Sequence, residues 1–288
     1  MKILLLGGTG AIGTSLVEIL NKKNYDIYVT TRNKNNISKG NLTYLYGNAH
    51  EMDFIEKVLN LNKYDAIVDF MQYTKIDFQN RIEYILSNTK HYIFLSSSRV
   101  YDDSKKPITE SSPRLLDSCT DKEYINTDEY ALLKARQENI LKETGMKNYT
   151  IIRPYITYNE SRLQLGVFEK EEWLYRAING KSILFSRDIA NKYTSLTYGY
   201  DTACIIAELI CDKKVFQKAI QIANPEKIKW QDILNIYVDI IEKKTNKKVK
   251  VHMIDNLFEA GIDTYQYKYD RLFNRIFDDQ SLHKYLNK

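Results

Sequence analysis

The sequence predicts an α/β protein: a doubly wound parallel sheet followed by a smaller C-terminal α/β lobe. Three observations predict it. Apolar runs of strand length alternate with helical patterns through the first half, as right-handed β-α-β crossovers require. Those strands are near-continuously apolar, which fits a sheet covered on both faces. A glycine-rich turn, Gly7-Gly8-Thr9-Gly10-Ala11-Ile12-Gly13, links the first strand to the first helix.

Taken in order, Lys2–Leu6 reads as a buried strand, and Ala11–Lys22 puts Ile12, Leu16, Ile19 and Leu20 on one helical side. Further strands are expected at Asp26–Thr31, Leu42–Tyr46, Ala66–Phe70, Tyr92–Ser96 and Tyr149–Arg153. Helices are expected between them at Met52–Leu61, Gln79–Ser87 and Thr127–Glu143. After Pro154 the alternation breaks: Tyr158–Gly166 is a polar loop, and Val167–Asn179 is a helix stopped by Gly180. Lys181–Ser186 and Lys248–Met253 are strands, and Thr202–Cys211 and Trp230–Thr245 are helices. No repeat or flexible linker separates the halves. Residues 1–158 are therefore read as a nucleotide-binding domain and 159–288 as a substrate lobe, with a stretch around 193–212 returning to the first domain.

Composition narrows the function. Of 288 residues, 43% are hydrophobic and only 11 are Gly and 4 Pro, which excludes a disordered or low-complexity chain. A net charge of +5 permits anionic ligands without marking a nucleic-acid binder. The three cysteines, Cys119, Cys204 and Cys211, form no close metal-type pair, and their odd count argues against a disulfide framework. The opening apolar run is too short for a signal-peptide core, and no stretch has the length of a membrane span. The expectation is a cytoplasmic protein with no metal and no membrane or nucleic-acid partner.

In the glycine turn, Gly7 permits a tight turn, Gly10 leaves room for a pyrophosphate, and Gly13 lets helix and strand approach. The helix N-terminus then presents free N–H groups to phosphates. This context, strand before and helix after, makes the sheet Rossmann-type and identifies a dinucleotide site. The second strand ends Thr30-Thr31-Arg32-Asn33-Lys34, with no carboxylate for ribose hydroxyls. Arg32 there suits a 2′-phosphate, so NADP is expected ahead of NAD.

Two Tyr-x-x-x-Lys pairs occur. Tyr101…Lys105 lies in a polar loop, whereas Tyr130…Lys134 lies in a stretch of strong helix formers after Thr127, a plausible N-cap. Four-residue spacing on a helix puts Tyr130 and Lys134 on one face. A lysine cation beside a phenol lowers its pKa and equips it for acid/base work. The strand before this helix ends in Ser96-Ser97-Ser98, at the sheet edge where ligands bind.

These pieces together resemble the extended short-chain dehydrogenase/reductase family, the NAD-dependent epimerase/dehydratase group that modifies nucleotide-sugars. Gly7–Gly13 resembles its nucleotide fingerprint, Phe94–Tyr101 its active-site strand, and Tyr130–Lys134 its catalytic helix. Ile152-Arg153-Pro154-Tyr155 resembles the strand end on the nicotinamide side. Leu196–Ala203 resembles a later segment leading into a helix, and Ile220–Asn224 followed by Trp230–Leu234 resembles the family's C-terminal lobe. The resemblance implies that Tyr130 is the general acid/base, that Lys134 holds the nicotinamide ribose, and that Ser97 is the catalytic serine. It implies cofactor contacts from Gly7, Thr9, Gly10, Ala11, Ile12, Gly13, Arg32, Asn48, Met71, Pro154 and Tyr155. It further implies a homodimer through the helices at Gln79–Ser87 and Thr127–Glu143.

Departures from the family pattern also carry information. Dehydratases place Thr-Asp-Glu where this chain has Ser97-Ser98-Arg99, so no acid stands ready for elimination. The fourth strand ends Asp69-Phe70-Met71-Gln72-Tyr73 instead of a small, Ala-rich turn, and Gly47-Asn48 replaces a Gly-Asp pair. The reading is an NAD(P)-dependent 4-keto reductase or epimerase of a nucleotide-sugar, with Ser98, Arg162, Arg187 and Lys192 as substrate contacts. The alternatives are an atypical member that senses NADP or binds RNA, and a reductase of a non-nucleotide carbonyl.

Overall fold

The computed structural model describes residues 1–286. Its centre is a seven-stranded sheet. The strands are β1 (Lys2–Leu6), β2 (Asp26–Thr31), β3 (Leu42–Tyr46), β4 (Ala66–Asp69), β5 (Tyr92–Leu95), β6 (Tyr149–Pro154) and β7 (Ala219–Ile222). All neighbours are parallel, in the order β3-β2-β1-β4-β5-β6-β7. The order reverses between β1 and β4, and such a switch point opens a crevice at the strands' carboxyl ends.

The period of two along β1 explains how the sheet is covered. Ile3 and Leu5 face α1 (Ala11–Lys22), whose Leu16, Ile19 and Leu20 join their cluster. Leu4 and Leu6 face the other side, with Ile55 and Val58 of α2 (Met52–Leu61) and Ile82 and Ile85 of α3 (Lys75–Ser87). Leu141 of α4 (Tyr130–Glu143) completes that layer. Both faces are therefore buried, as the apolar strands predict.

The second half is divided. Helix α5 (Lys170–Ile178), a parallel pair of strands (Ile183–Ser186 with Val251–Ile254) and α7 (Trp230–Thr245) share a separate core around Trp173, Phe185 and Trp230. Between them, α6 (Gly199–Leu209) lays Ala203, Ile206 and Ala207 on the α1 face of the sheet. Strand β7 extends the sheet beyond β6, so the sheet domain draws on chain well past residue 158.

Several boundaries move. Helix α3 starts at Lys75, not Gln79, because Thr74 accepts a hydrogen bond from the Asp77 N–H and caps it. Thr127 does not cap α4: its hydroxyl donates to the Tyr124 carbonyl, and Glu129 takes the capping role by accepting from the Ala131 N–H. The expected loop Tyr158–Gly166 contains a short strand, Gln164–Leu165, paired with Phe168–Glu169.

Candidate active site

The carboxyl ends of β1, β4, β5 and β6 open into a cleft of about 660 Å³, within the size range of ligand sites. One wall is the turn after β1. Gly7 sits at φ +70, in the left-handed region that favours glycine. A Cβ on Gly13 would lie 2.5 Å from the Gly8 carbonyl oxygen, so only glycine lets α1 pass so close to this turn. A Cβ on Gly10 would meet nothing within 4 Å, and no side chain caps α1 at that end. The helix therefore presents its N-terminus to open space, a ready anion cradle. A second cavity of about 390 Å³ continues past Gly8 and Thr9, lined by Thr31, Asn33, Asn36 and Tyr44. Among the described residues, no carboxylate lines it.

The opposite wall carries Ser97, Tyr130 and Lys134. Tyr130 is the first residue of α4, and Lys134 follows one turn later on the same face. The Lys134 ammonium donates to the Leu95 carbonyl at 2.8 Å and to the Met71 carbonyl at 3.4 Å. These bonds tie it to the ends of β5 and β4. Burial pulls its pKa down to about 8, against the opposing pull of Asp69 and Glu138.

The phenol behaves differently from the expectation. Burial pushes Tyr130 above its ordinary range; the opposing cations are Arg99 and Arg162, with help from a hydrogen bond to Ser97. Lys134 is not the cation that tunes it. The Arg99 guanidinium is, lying 5.2 Å from the ring centre. Lys134 faces the Phe94 ring and backbone carbonyls instead.

Behind the wall, buried Glu138 holds the assembly together. It takes a two-pronged pair of bonds from Arg153 at 2.8 and 2.6 Å and a bond from the Ser96 hydroxyl at 2.6 Å. Burial alone would raise its pKa, but the Arg153 guanidinium beside it holds the carboxyl below the usual range. Arg153 also donates to the Tyr101 hydroxyl, so the first Tyr-x-x-x-Lys tyrosine is a structural group under β6. On the other side, buried Asp69 accepts from the hydroxyls of Tyr73 and Tyr92 and from the Met71 N–H.

Residues 7–183 match the NAD(P)H-binding family. The chain belongs to this family. It is 22% identical over 246 residues to the chloroplast stem-loop binding protein of 41 kDa b from Arabidopsis thaliana, covering 81% of this chain and 61% of that protein. It is 28% identical over 134 residues to UDP-glucose 4-epimerase from Lactobacillus helveticus, covering 39% of this chain and 41% of that one. The chain thus spans about three-fifths or less of these relatives' lengths. Its fold matches the Thermus thermophilus UDP-glucose 4-epimerase solved with NAD, at a TM-score of 0.72 and 15% identity, covering 100% of this chain and 94% of that structure.

For this family member, the structure gathers Gly7, Gly10, Ala11, Ile12, Gly13, Ser97, Tyr130, Lys134, Pro154 and Arg162 around one cleft. Thr9 lines the adjoining cavity, and exposed Arg32 lies at the end of β2 beside it. Met71 packs against Gly7, and Asn48 sits in the turn after β3, donating to Glu51. Seven expected contacts line neither cavity: Arg32, Asn48 and Met71, together with Ser98, Tyr155, Arg187 and Lys192. Ser98 is fully buried, and its hydroxyl donates to the Arg153 carbonyl at 2.7 Å, because the tight turn after β5 rotates it inward. Tyr155 is buried against Phe277 with its hydroxyl toward Asp270. Arg187 forms an exposed ion pair with Asp255, and Lys192 lies outside the cleft near the start of α7. In their place stand Arg99, Gln164, Glu169, Gln266 and Arg271. Among the described residues there is no His/Cys/Asp/Glu group suited to a metal, and no helix long and apolar enough to cross a membrane.

Proposed function

We propose that the protein is an NAD(P)-dependent oxidoreductase acting on a nucleotide-activated sugar, as a 4-keto reductase or an epimerase. The observation that carries this reading is the convergence of Ser97, Tyr130 and Lys134 on one cleft, facing the uncapped start of α1. A dinucleotide fits that start: Gly10 leaves its approach open, and the adjoining cavity extends the site past Gly8. NADP is favoured over NAD because the end of β2 offers Arg32 and no acid.

The bound nicotinamide supplies the hydride donor or acceptor. The chain's residues handle the proton and the geometry. Tyr130, held protonated by burial, gives its proton to a carbonyl oxygen as that oxygen gains charge, and takes one back in the reverse direction. Arg99 and Arg162 stabilise the phenolate left behind. Ser97 shares the same substrate oxygen. Two ammonium protons of Lys134 are held by backbone carbonyls, leaving one donor that would hold the cofactor ribose. Dehydration is disfavoured, since Ser98 is turned inward and Arg99 replaces an acid. A homodimer through α3 and α4 belongs to the same reading, and the mass in solution tests it.

The experiment is a survey of nucleotide-sugars with NADPH and NADH, comparing wild type with Tyr130→Phe. Turnover that disappears in the variant supports the reading; undiminished turnover contradicts it. Cofactor that copurifies and ends each cycle in its starting redox state would select the epimerase. A second reading, RNA binding or NADP sensing, is favoured by the stem-loop binding relative, which matches most of this chain. Stem-loop RNA binding that is indifferent to Tyr130→Phe, with no turnover, would favour it. Failure of nucleotide-sugars to protect against thermal unfolding would favour a non-nucleotide carbonyl substrate.

A further inference from the structure

Four cations line the cleft (Arg99, Lys134, Arg162 and Arg271) against a single carboxylate, Glu169. Lys134 is tied to backbone carbonyls, and Arg162 pairs with Glu169 at 3.0 Å. The other two are unevenly matched. Arg271 is buried, donating to the Gly166 carbonyl at 2.7 Å and to Gln164 at 2.8 Å. Among the described residues its one ion-pair partner is Asp270, which is shared with Arg275, donating to it at 2.8 Å. Two buried guanidiniums thus divide one carboxylate. Arg99 donates through Nη2 to Glu129 at 2.5 Å, but its Nε is buried without an acceptor among the described residues. Arg99 and Arg271 are also close enough to repel each other.

Buried charge of one sign is unfavourable unless a counter-charge arrives. A ligand anion would supply it. Its place on the ligand follows from Arg99, which lies over the Tyr130 ring. A group held there is within a sugar ring's width of the oxygen that Tyr130 protonates, so it belongs to the reacting unit. A guanidinium fork pairs bidentately with a planar carboxylate, a group that a sugar ring can carry beside its reacting carbon.

We infer that the reacting sugar carries a carboxylate, and that Arg99, backed by Arg271, is the specificity-determining residue that reads it. The inference rests on the nucleotide-sugar reading above and deepens it: the preferred substrate class is a nucleotide-linked uronate, not a neutral hexose.

The test is calorimetric titration of NADPH-saturated protein with UDP-glucuronate, UDP-glucose and free glucuronate. The wild type should bind UDP-glucuronate about 10- to 100-fold more tightly than UDP-glucose, the range for a hydrogen-bonded charge pair. Arg99→Gln should close that gap, and Arg99→Lys should restore only part of it, since a point charge lacks the fork. Glu129→Gln should widen the gap. It removes the competing negative charge but keeps a carbonyl to accept from the Ala131 N–H. Melting curves and NADPH binding confirm that each variant is folded; should Arg99→Gln fail there, Glu129→Gln decides. Equal binding of the two nucleotide-sugars, or a gap that survives Arg99→Gln or fails to widen in Glu129→Gln, overturns the inference and leaves the nucleotide-sugar reading standing. Arg99-dependent binding of free glucuronate alone supports the carboxylate and overturns the nucleotide. Binding of NADPH but of none of the three overturns both.

Discussion

Gly10→Ala separates the fold's needs from the cofactor's. Gly10 is the N-cap of α1 at φ −88 and ψ −173, an extended conformation that alanine adopts freely. Its added Cβ would meet no atom within 4 Å. The unfolded chain loses roughly 0.4–1 kcal/mol of conformational freedom, which favours folding. Alanine is also a poorer N-cap than glycine, by an amount of similar size. The two nearly cancel, so the melting temperature should move by no more than about 2–4 °C. The same methyl occupies the space where a pyrophosphate must reach the first N–H groups of α1. Losing one such charge-assisted bond weakens binding by roughly 1.5–3 kcal/mol, about 10- to 100-fold in affinity. Gly13→Ala is the contrast. Its Cβ would sit 2.5 Å from the Gly8 oxygen and 2.6 Å from the Gly8 carbonyl carbon, so backbone must shift at a cost of about 1–3 kcal/mol. Thermal melts without cofactor and fluorescence titrations with NADPH measure both effects. Undiminished NADPH binding by Gly10→Ala, or a melt as low as that of Gly13→Ala, would refute the reasoning.

Tyr130→Phe should lower turnover by about 10²- to 10⁴-fold with the melting curve retained; equal turnover would remove Tyr130 from the chemistry. Arg32→Glu should shift preference from NADPH toward NADH, read as the ratio of their affinities, and an unchanged ratio would show that Arg32 does not meet the 2′-phosphate. His91 accepts from the Cys211 N–H and donates to Thr150 while burial lowers its pKa to about 4 from 6.5. The unfolded state takes up the proton first. Stability should therefore fall as pH drops from 6.5 to 4, by about 3 kcal/mol. Denaturant titrations of wild type and His91→Gln across that window should differ in slope, and matching slopes would contradict it. Lys134, held near 8 against 10.5 for a free lysine, should make the fold more stable as pH rises between those values. Lys134→Met should abolish that rise, and a rise that persists would show that another group causes it.

The sheet was legible because its signals are local. Each strand is an apolar run, and the Gly7–Gly13 turn fixes which end of the sheet binds ligand. Strand β7 was harder to place: Ala219–Ile222 is short and follows α6, and only three-dimensional packing puts it beside β6. The Ser97, Tyr130 and Lys134 trio was legible because helical spacing and a strand end locate it. Of the cleft's cations, Lys134 and Arg162 were legible, and Arg99 and Arg271 were not. Arg187 and Lys192 have the right charge, but their lobe turns them away from the cleft. Arg271 lies in an irregular turn, Tyr267–Arg271, with no periodicity to aim it. Arg99 did leave a trace, as the basic residue where dehydratases carry an acid. That trace counted against elimination but did not reveal its contact with Tyr130. The phenol's raised pKa was hidden for the same reason, since burial is a property of packing and outweighs the neighbouring cations.

The most direct test of the account is a crystal structure with a nicotinamide cofactor and a nucleotide-sugar bound. It should show the pyrophosphate on the N-terminus of α1 beside Gly10, and the Tyr130 hydroxyl within about 3 Å of a sugar hydroxyl or ketone oxygen. A sugar lying elsewhere, with Tyr130 and Ser97 out of reach of its oxygens, would contradict it.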